Sequence, residues 1–120
     1  MNQATIMVVE DDGEVRDALA ELLEENGYTV LVSENGADAL TQLRKHPHVR
    51  AIVLDVTMPV MNGATFRGEQ LNDPDIASIP LILLTGREDS KPLANMLGAA
   101  ACLQKPLVGD ALLRVLEPFK

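Results

Sequence analysis

The sequence predicts an α/β domain in which a single five-stranded parallel sheet carries helices on both faces, built as (βα)5 over residues 1–120. Three observations support this. Short apolar runs alternate five times with amphipathic or capped stretches. The runs Ala51-Ile52-Val53-Leu54 and Leu81-Ile82-Leu83-Leu84 are continuously apolar, as strands covered on both faces require. The first and last helical stretches share one spacing of apolar residues at i, i+3, i+4 and i+7.

Thr5-Ile6-Met7-Val8-Val9 forms the first strand and ends in Glu10-Asp11-Asp12. In the helix that follows, Val15, Ala18, Leu19, Leu22 and Leu23 make one stripe while Glu14, Asp17, Glu21 and Glu25 face elsewhere; Asn26-Gly27 stops it. The second strand covers 28–33, and Asn35 is placed to cap a helix over 36–46. The third strand, 51–54, runs into Asp55, and the chain then turns through Val56-Thr57-Met58-Pro59-Val60-Met61-Asn62-Gly63. A helix weakened by Gly68 extends to about Asn72, where Asp73-Pro74-Asp75 breaks it. The fourth strand covers 80–85. Asp89 or Ser90 caps a short helix that stops at Gly98, and the fifth strand, 101–104, leads into Lys105-Pro106. Val108, Ala111, Leu112, Val115 and Leu116 stripe the last helix, which ends by Pro118.

Composition excludes several function classes. A formal net charge of −8 and a pI near 4.6 disfavour a phosphate-backbone footprint, so direct nucleic-acid binding is not expected. No apolar stretch reaches membrane-spanning length. The lone Cys102 cannot form an internal bridge and the N-terminus carries no signal-like pattern, which together predict a cytoplasmic protein. The first strand runs into Glu10-Asp11-Asp12-Gly13 with no Gly-rich phosphate loop, which argues against nucleotide binding. His46 and His48 flank Pro47 in a helix-to-strand loop and are read as solvated.

Parallel sheets place reactive groups where strands end. Here Glu10 and Asp11 follow strand one, Asp55 follows three, Thr85 ends four and Lys105 follows five. Carboxylates pooled in one crevice repel one another unless a hard cation sits among them, and oxygen ligands without thiols suit Mg²⁺ better than Zn²⁺. Each piece also has an ordinary reading: the acidic triplet as a helix start, Asp55 as a turn-starter, Lys105 as a surface charge, Met58 and Met61 as core gap-fillers. Only the joint pattern distinguishes them.

The run Asp55-x-x-Met58-Pro59-x-Met61-x-Gly63, taken in order with Glu10-Asp11, Thr85 and Lys105-Pro106, resembles a response-regulator receiver domain over the whole chain. The resemblance implies a flavodoxin-like, CheY-like fold and a role in two-component signal transduction. Asp55 would be the phosphoacceptor, attacking the phosphohistidine of a sensor histidine kinase or histidine phosphotransfer protein. A carboxylate is a poor nucleophile toward an anionic phosphoryl group, and a dication with a lysine offsets that repulsion. The resemblance implies Mg²⁺ bound by Asp11, Asp55 and the Thr57 backbone carbonyl, with Glu10 acting through water and Asp12 a neighbour. Lys105 would pair with the phosphoryl oxygens and the Thr85 hydroxyl would donate to one of them. Gly86 would leave the attacked face open, and Thr57 and Arg87 would line it and govern water access.

The same resemblance implies self-phosphorylation and slow autodephosphorylation without steady enzymatic turnover. Phosphatases that use an aspartyl intermediate generally place a second acid two residues after the nucleophile, where this chain has Thr57. Signal would pass by protein contact to a downstream target or an output domain, with no membrane or nucleic-acid contact and with the chain a monomer or weak dimer. It would be either a stand-alone receiver or a piece of a longer regulator. Two departures stand out. Receivers usually carry Tyr or Phe three residues before the strand-five lysine, where this chain has Cys102, and the stretch from Thr85 to Gly98 is about two residues short. Phosphorylation with an atypical read-out is therefore expected; the alternative is a pseudo-receiver, a binding module that works without phosphorylation.

Overall fold

A computed structural model describes residues 3–55, 63–86, 91–104 and 109–120. Along them run β1 (Thr5–Val9), α1 (Gly13–Glu25), β2 (Thr29–Ser33), α2 (Gly36–Lys45), β3 (Ala51–Asp55), α3 (Gly63–Leu71), β4 (Leu81–Thr85), α4 (Lys91–Leu97), β5 (Ala101–Gln104), α5 (Gly109–Leu116) and a 3₁₀ turn, Glu117–Phe119. All strand pairs are parallel, in the order β2-β1-β3-β4-β5. Chain direction across the sheet reverses between β1 and β3, which opens a crevice at their C-terminal ends.

The period-two alternation of each strand sorts its residues into two layers. Met7 and Val9, Ile52 and Leu54, and Leu81 and Leu83 pack with Ala39, Leu40 and Leu43 of α2, Phe66 of α3, and Ala94 and Leu97 of α4. Ile6 and Val8, Ala51 and Val53, and Ile82 and Leu84 pack with Leu19 and Leu23 of α1 and Leu112 and Leu116 of α5. The three central strands are buried along their whole length, while the edge strands β2 and β5 are only partly covered. Continuous apolar runs thus mark the sheet centre, as read from sequence.

Helix ends follow their local chemistry. The Asp12 carboxylate accepts from the Glu14 and Val15 amides at 3.0 and 3.3 Å, capping α1, and the Asn35 side chain accepts from the Asp38 amide at 2.8 Å, capping α2. Gly27 and Gly98 follow α1 and α4 with φ of +89° and +67°, a conformation that side chains disfavour. The differences from expectation are small. Tyr28 precedes β2 and is buried, Ala18 is exposed so that the α1 stripe is Val15, Leu19, Leu22 and Leu23, with Leu19 and Leu23 buried, and the last helix tightens into a 3₁₀ turn through Pro118. The expected caps Asp89 and Ser90, and Val108 of the last stripe, lie outside the described residues. Among the described residues no helix is long and apolar enough to cross a membrane.

Candidate functional site

Strand register assembles the acids. Val8 pairs with Val53 and Val9 with Leu54, so the next step of the ladder brings Glu10 beside Asp55. The chain fixes the acidic turn from two sides: the Glu10 amide donates to the Ser33 carbonyl at 3.0 Å, extending the β1–β2 ladder, and Arg16 Nη1 donates to the Glu10 carbonyl at 3.0 Å. One carboxylate oxygen each from Glu10, Asp11 and Asp55 then lies within 4.8 Å of the others. Glu10 is fully buried and Asp55 is 6% exposed, whereas Asp11 reaches solvent. Asp12, the third acid of the triplet, spends Oδ1 on the α1 cap.

The donor set fits a hard cation. Oxygens that share one Mg²⁺ at about 2.0–2.1 Å from it lie at most about 4.2 Å apart, and a carboxylate that binds through water lies farther out. A cluster spread over 4.8 Å, wholly of oxygen and open to solvent on the Asp11 side, therefore needs only small side-chain adjustment to hold one.

Thr85 closes β4, 4% exposed, with Gln104 as its β5 partner. Asp55 pairs with Leu84, which puts Thr85 one residue beyond it on the same sheet edge. Gly86 is exposed, and among the described residues a Cβ there would meet nothing within 4 Å. Cys102 pairs with Leu83 and packs, partly buried, on the layer that holds α2, α3 and α4. Thr57, Met58, Met61, Arg87 and Lys105, all singled out from sequence, lie outside the described residues. Those brought together are Glu10, Asp11 and Asp55, with Thr85 at the same edge. His46 and His48 stack edge-on, ring centroids 5.8 Å apart, in the α2–β3 loop at the opposite edge.

Sequence reasoning missed a second polar centre. Arg67 and Gln70 of α3 are buried at 8% and 0% exposure, and the loss of solvation lowers the Arg67 pKa. Nothing in the α3 sequence marks them.

The response regulator receiver domain family matches residues 6–117. This chain belongs to that family. Among relatives, it is 31% identical over 117 residues to protein PilH of Pseudomonas aeruginosa, covering 95% of each chain. It is 35% identical over 104 residues to the transcriptional regulatory protein CpxR homolog of Haemophilus influenzae, covering 84% of this chain and 43% of that one. The chemotaxis response regulator CheY4 of Vibrio cholerae superposes with a TM-score of 0.90 at 27% identity, covering 99% of this chain and 100% of that one. The five-stranded parallel architecture of this receiver domain is thus the CheY-like one.

Proposed function

We propose that this receiver domain is a phosphoacceptor switch whose acceptor is Asp55. The observation that carries the reading is the convergence of Glu10, Asp11 and Asp55 within 4.8 Å at the β1/β3 crevice. An Asp55 carboxylate oxygen forms a bond to phosphorus as the N–P bond of a partner phosphohistidine breaks; the electron pair returns to the imidazole nitrogen, which takes up a proton. The partner is a sensor histidine kinase or a histidine phosphotransfer protein. Asp11, Asp55 and the Thr57 carbonyl would hold Mg²⁺, with Glu10 acting through water, and the ion supplies compensation for charge gathering on the transferring oxygens. Lys105 pairs with the phosphoryl oxygens and Thr85 donates a hydrogen bond to one of them. Asp12 would be a neighbour that caps α1, not a ligand.

The unit is residues 1–120 acting as one domain in the cytoplasm, as a monomer or weak dimer, and it signals to a downstream protein or output domain by contact. It phosphorylates and slowly dephosphorylates itself but turns over no small substrate. Because Cys102 stands where the family usually carries an aromatic ring, read-out proceeds without a large rotamer change on β5. Intact mass spectrometry after incubation with acetyl phosphate tests the reading. One added phosphoryl group that requires both Mg²⁺ and Asp55, and is absent in Asp55→Asn, is expected; no adduct on a folded protein would make this a phosphorylation-independent binding module.

A further inference from the structure

Among the described residues Arg67 is the only buried basic side chain. Its Nε donates to the Leu97 carbonyl at 2.8 Å, Nη2 to the Gly98 carbonyl at 3.2 Å, and Nη1 to Gln70 Oε1 at 2.7 Å and the Ile79 carbonyl at 3.5 Å. The Gln70 amide nitrogen donates in turn to the Ile76 and Ile79 carbonyls at 2.9 and 3.0 Å. No carboxylate among the described residues pairs with the guanidinium. Taking such a charge out of water is unfavourable, and an apolar side chain of similar volume would fill the space without that penalty. What offsets it is directional: Leu97 ends α4 and Gly98 makes its left-handed exit, so the guanidinium caps carbonyls that no helical turn follows and sits at the negative end of the helix.

The bonds join three segments, the end of α4, α3 and the stretch leading into β4. α4 is seven residues long and buries Ala94 and Leu97. The chain leaving it is pinned at once, with the Ala99 amide on the Ala94 carbonyl at 3.0 Å and the Ala100 amide on the Leu81 carbonyl at 2.7 Å. We infer that Arg67 is the anchor of α4. It fixes the helix's C-terminal turn to α3 and to the segment leading into β4, so that a change at the end of β4 tilts α4 about this fixed end rather than shifting it as a body. The anchoring stands on the hydrogen bonds; the tilting rests on the phosphoacceptor reading given above.

Amide hydrogen exchange on the full ¹⁵N-labelled chain tests the anchor. In Arg67→Met the Gly98 and Ala99 amides should exchange at least about tenfold faster than in the wild type, while the slow amides of β1 and α1 change by less than about twofold. Uniform acceleration of all slow amides would mean that Arg67 only supports global stability, and no acceleration would mean that it anchors nothing; either overturns the proposal. Should Arg67→Met not fold, Arg67→Lys keeps the charge but loses the fork, and intermediate acceleration at the same two amides is expected, with wild-type rates overturning it. Adding Mg²⁺ and beryllofluoride, a phosphoryl mimic, then tests the tilt. Wild-type shifts should be large around Thr85 and small over residues 97–99, and in Arg67→Met they should spread into 97–99. Large wild-type shifts at 97–99 would overturn the pivot. No shift anywhere would refute the phosphoacceptor reading and the tilt with it, while the exchange rates still decide the anchor.

Discussion

Neutralising Asp55 should stabilise the metal-free protein and blunt its response to Mg²⁺. Two unit charges 4.8 Å apart repel by about 0.9 kcal/mol at the dielectric of water and about 3.5 kcal/mol at an effective dielectric of about 20. Asp55 has two such neighbours, and burial of both Asp55 and Glu10 moves their pair away from the aqueous limit. Asp55→Asn removes both repulsions and also forfeits whatever compensating contacts the carboxylate makes. A net gain of about 1 kcal/mol in chelator is expected, which for a chain of 120 residues raises Tm by about 4 °C. Mg²⁺ at ten times its Kd should stabilise the wild type by about 1.4 kcal/mol through mass action, and Asp55→Asn by less than half of that. Thermal unfolding followed by circular dichroism at low ionic strength, with chelator and across a Mg²⁺ titration, measures both. An Asp55→Asn protein that is less stable than the wild type in chelator and gains as much from Mg²⁺ would refute the like-charge argument.

Other substitutions probe the frame around the site. Asp12→Ala removes the α1 cap and should cost about 1 kcal/mol, read as a lower urea midpoint, with Mg²⁺ affinity unchanged because the Asp12 oxygen serves the helix and not the acidic cluster. The Tyr28 hydroxyl is buried with no hydrogen-bond partner among the described residues, and burial first, then the Glu117 carboxylate, raises its pKa above the ordinary 10.0. A raised folded-state pKa leaves stability unaffected below the unfolded value and erodes it as pH climbs past that value toward the folded one. Tyr28→Phe should therefore flatten the alkaline limb of a urea-midpoint profile from neutral pH upward, and at neutral pH be neutral or stabilising by up to about 1 kcal/mol. Tyr28 is the only tyrosine, so tyrosinate absorbance in the wild type follows this group alone; a midpoint at the model-peptide value would contradict the desolvation argument.

The sheet was legible because burial on both faces leaves a mark in one dimension: 51–54 and 81–84 are apolar throughout, and their strands are buried throughout. Asp55 was legible for the same reason, as the polar residue that ends such a run. The acidic triplet was harder, since a solvated helix start has the same composition. Asp11 is exposed and Asp12 is a cap, yet Glu10 is buried, because the β1–β2 ladder runs one residue past the apolar stretch and takes the Glu10 amide to Ser33. Arg67 and Gln70 left no trace at all. In α3 the apolar Leu71 is 51% exposed while Arg67 is 8% exposed, an inversion that hydropathy reads the wrong way round. The carbonyls that satisfy Arg67 come from residues 12, 30 and 31 positions away, and a backbone acceptor has no residue type to recognise.

The strand alternation also separates the site from its read-out. Glu10 and Asp55 follow the parity of Ile6, Val8, Ala51 and Val53, the layer of α1 and α5, whereas Thr85 follows Leu81 and Leu83 in the layer of α2, α3 and α4. A pull on Thr85 by a phosphoryl group on Asp55 would carry a change from the first layer into the second. There β4 meets Cys102 across the sheet, and the side chains stacked behind it are those of Phe66, Ala94 and Leu97. A cysteine displaces little volume when it turns, so on the reading proposed above the movement of Thr85 is taken up by the neighbouring helix and not by a ring on β5. If Arg67 holds its last turn as inferred above, α4 would respond at its opposite end, and the signal would be offered toward the start of that helix.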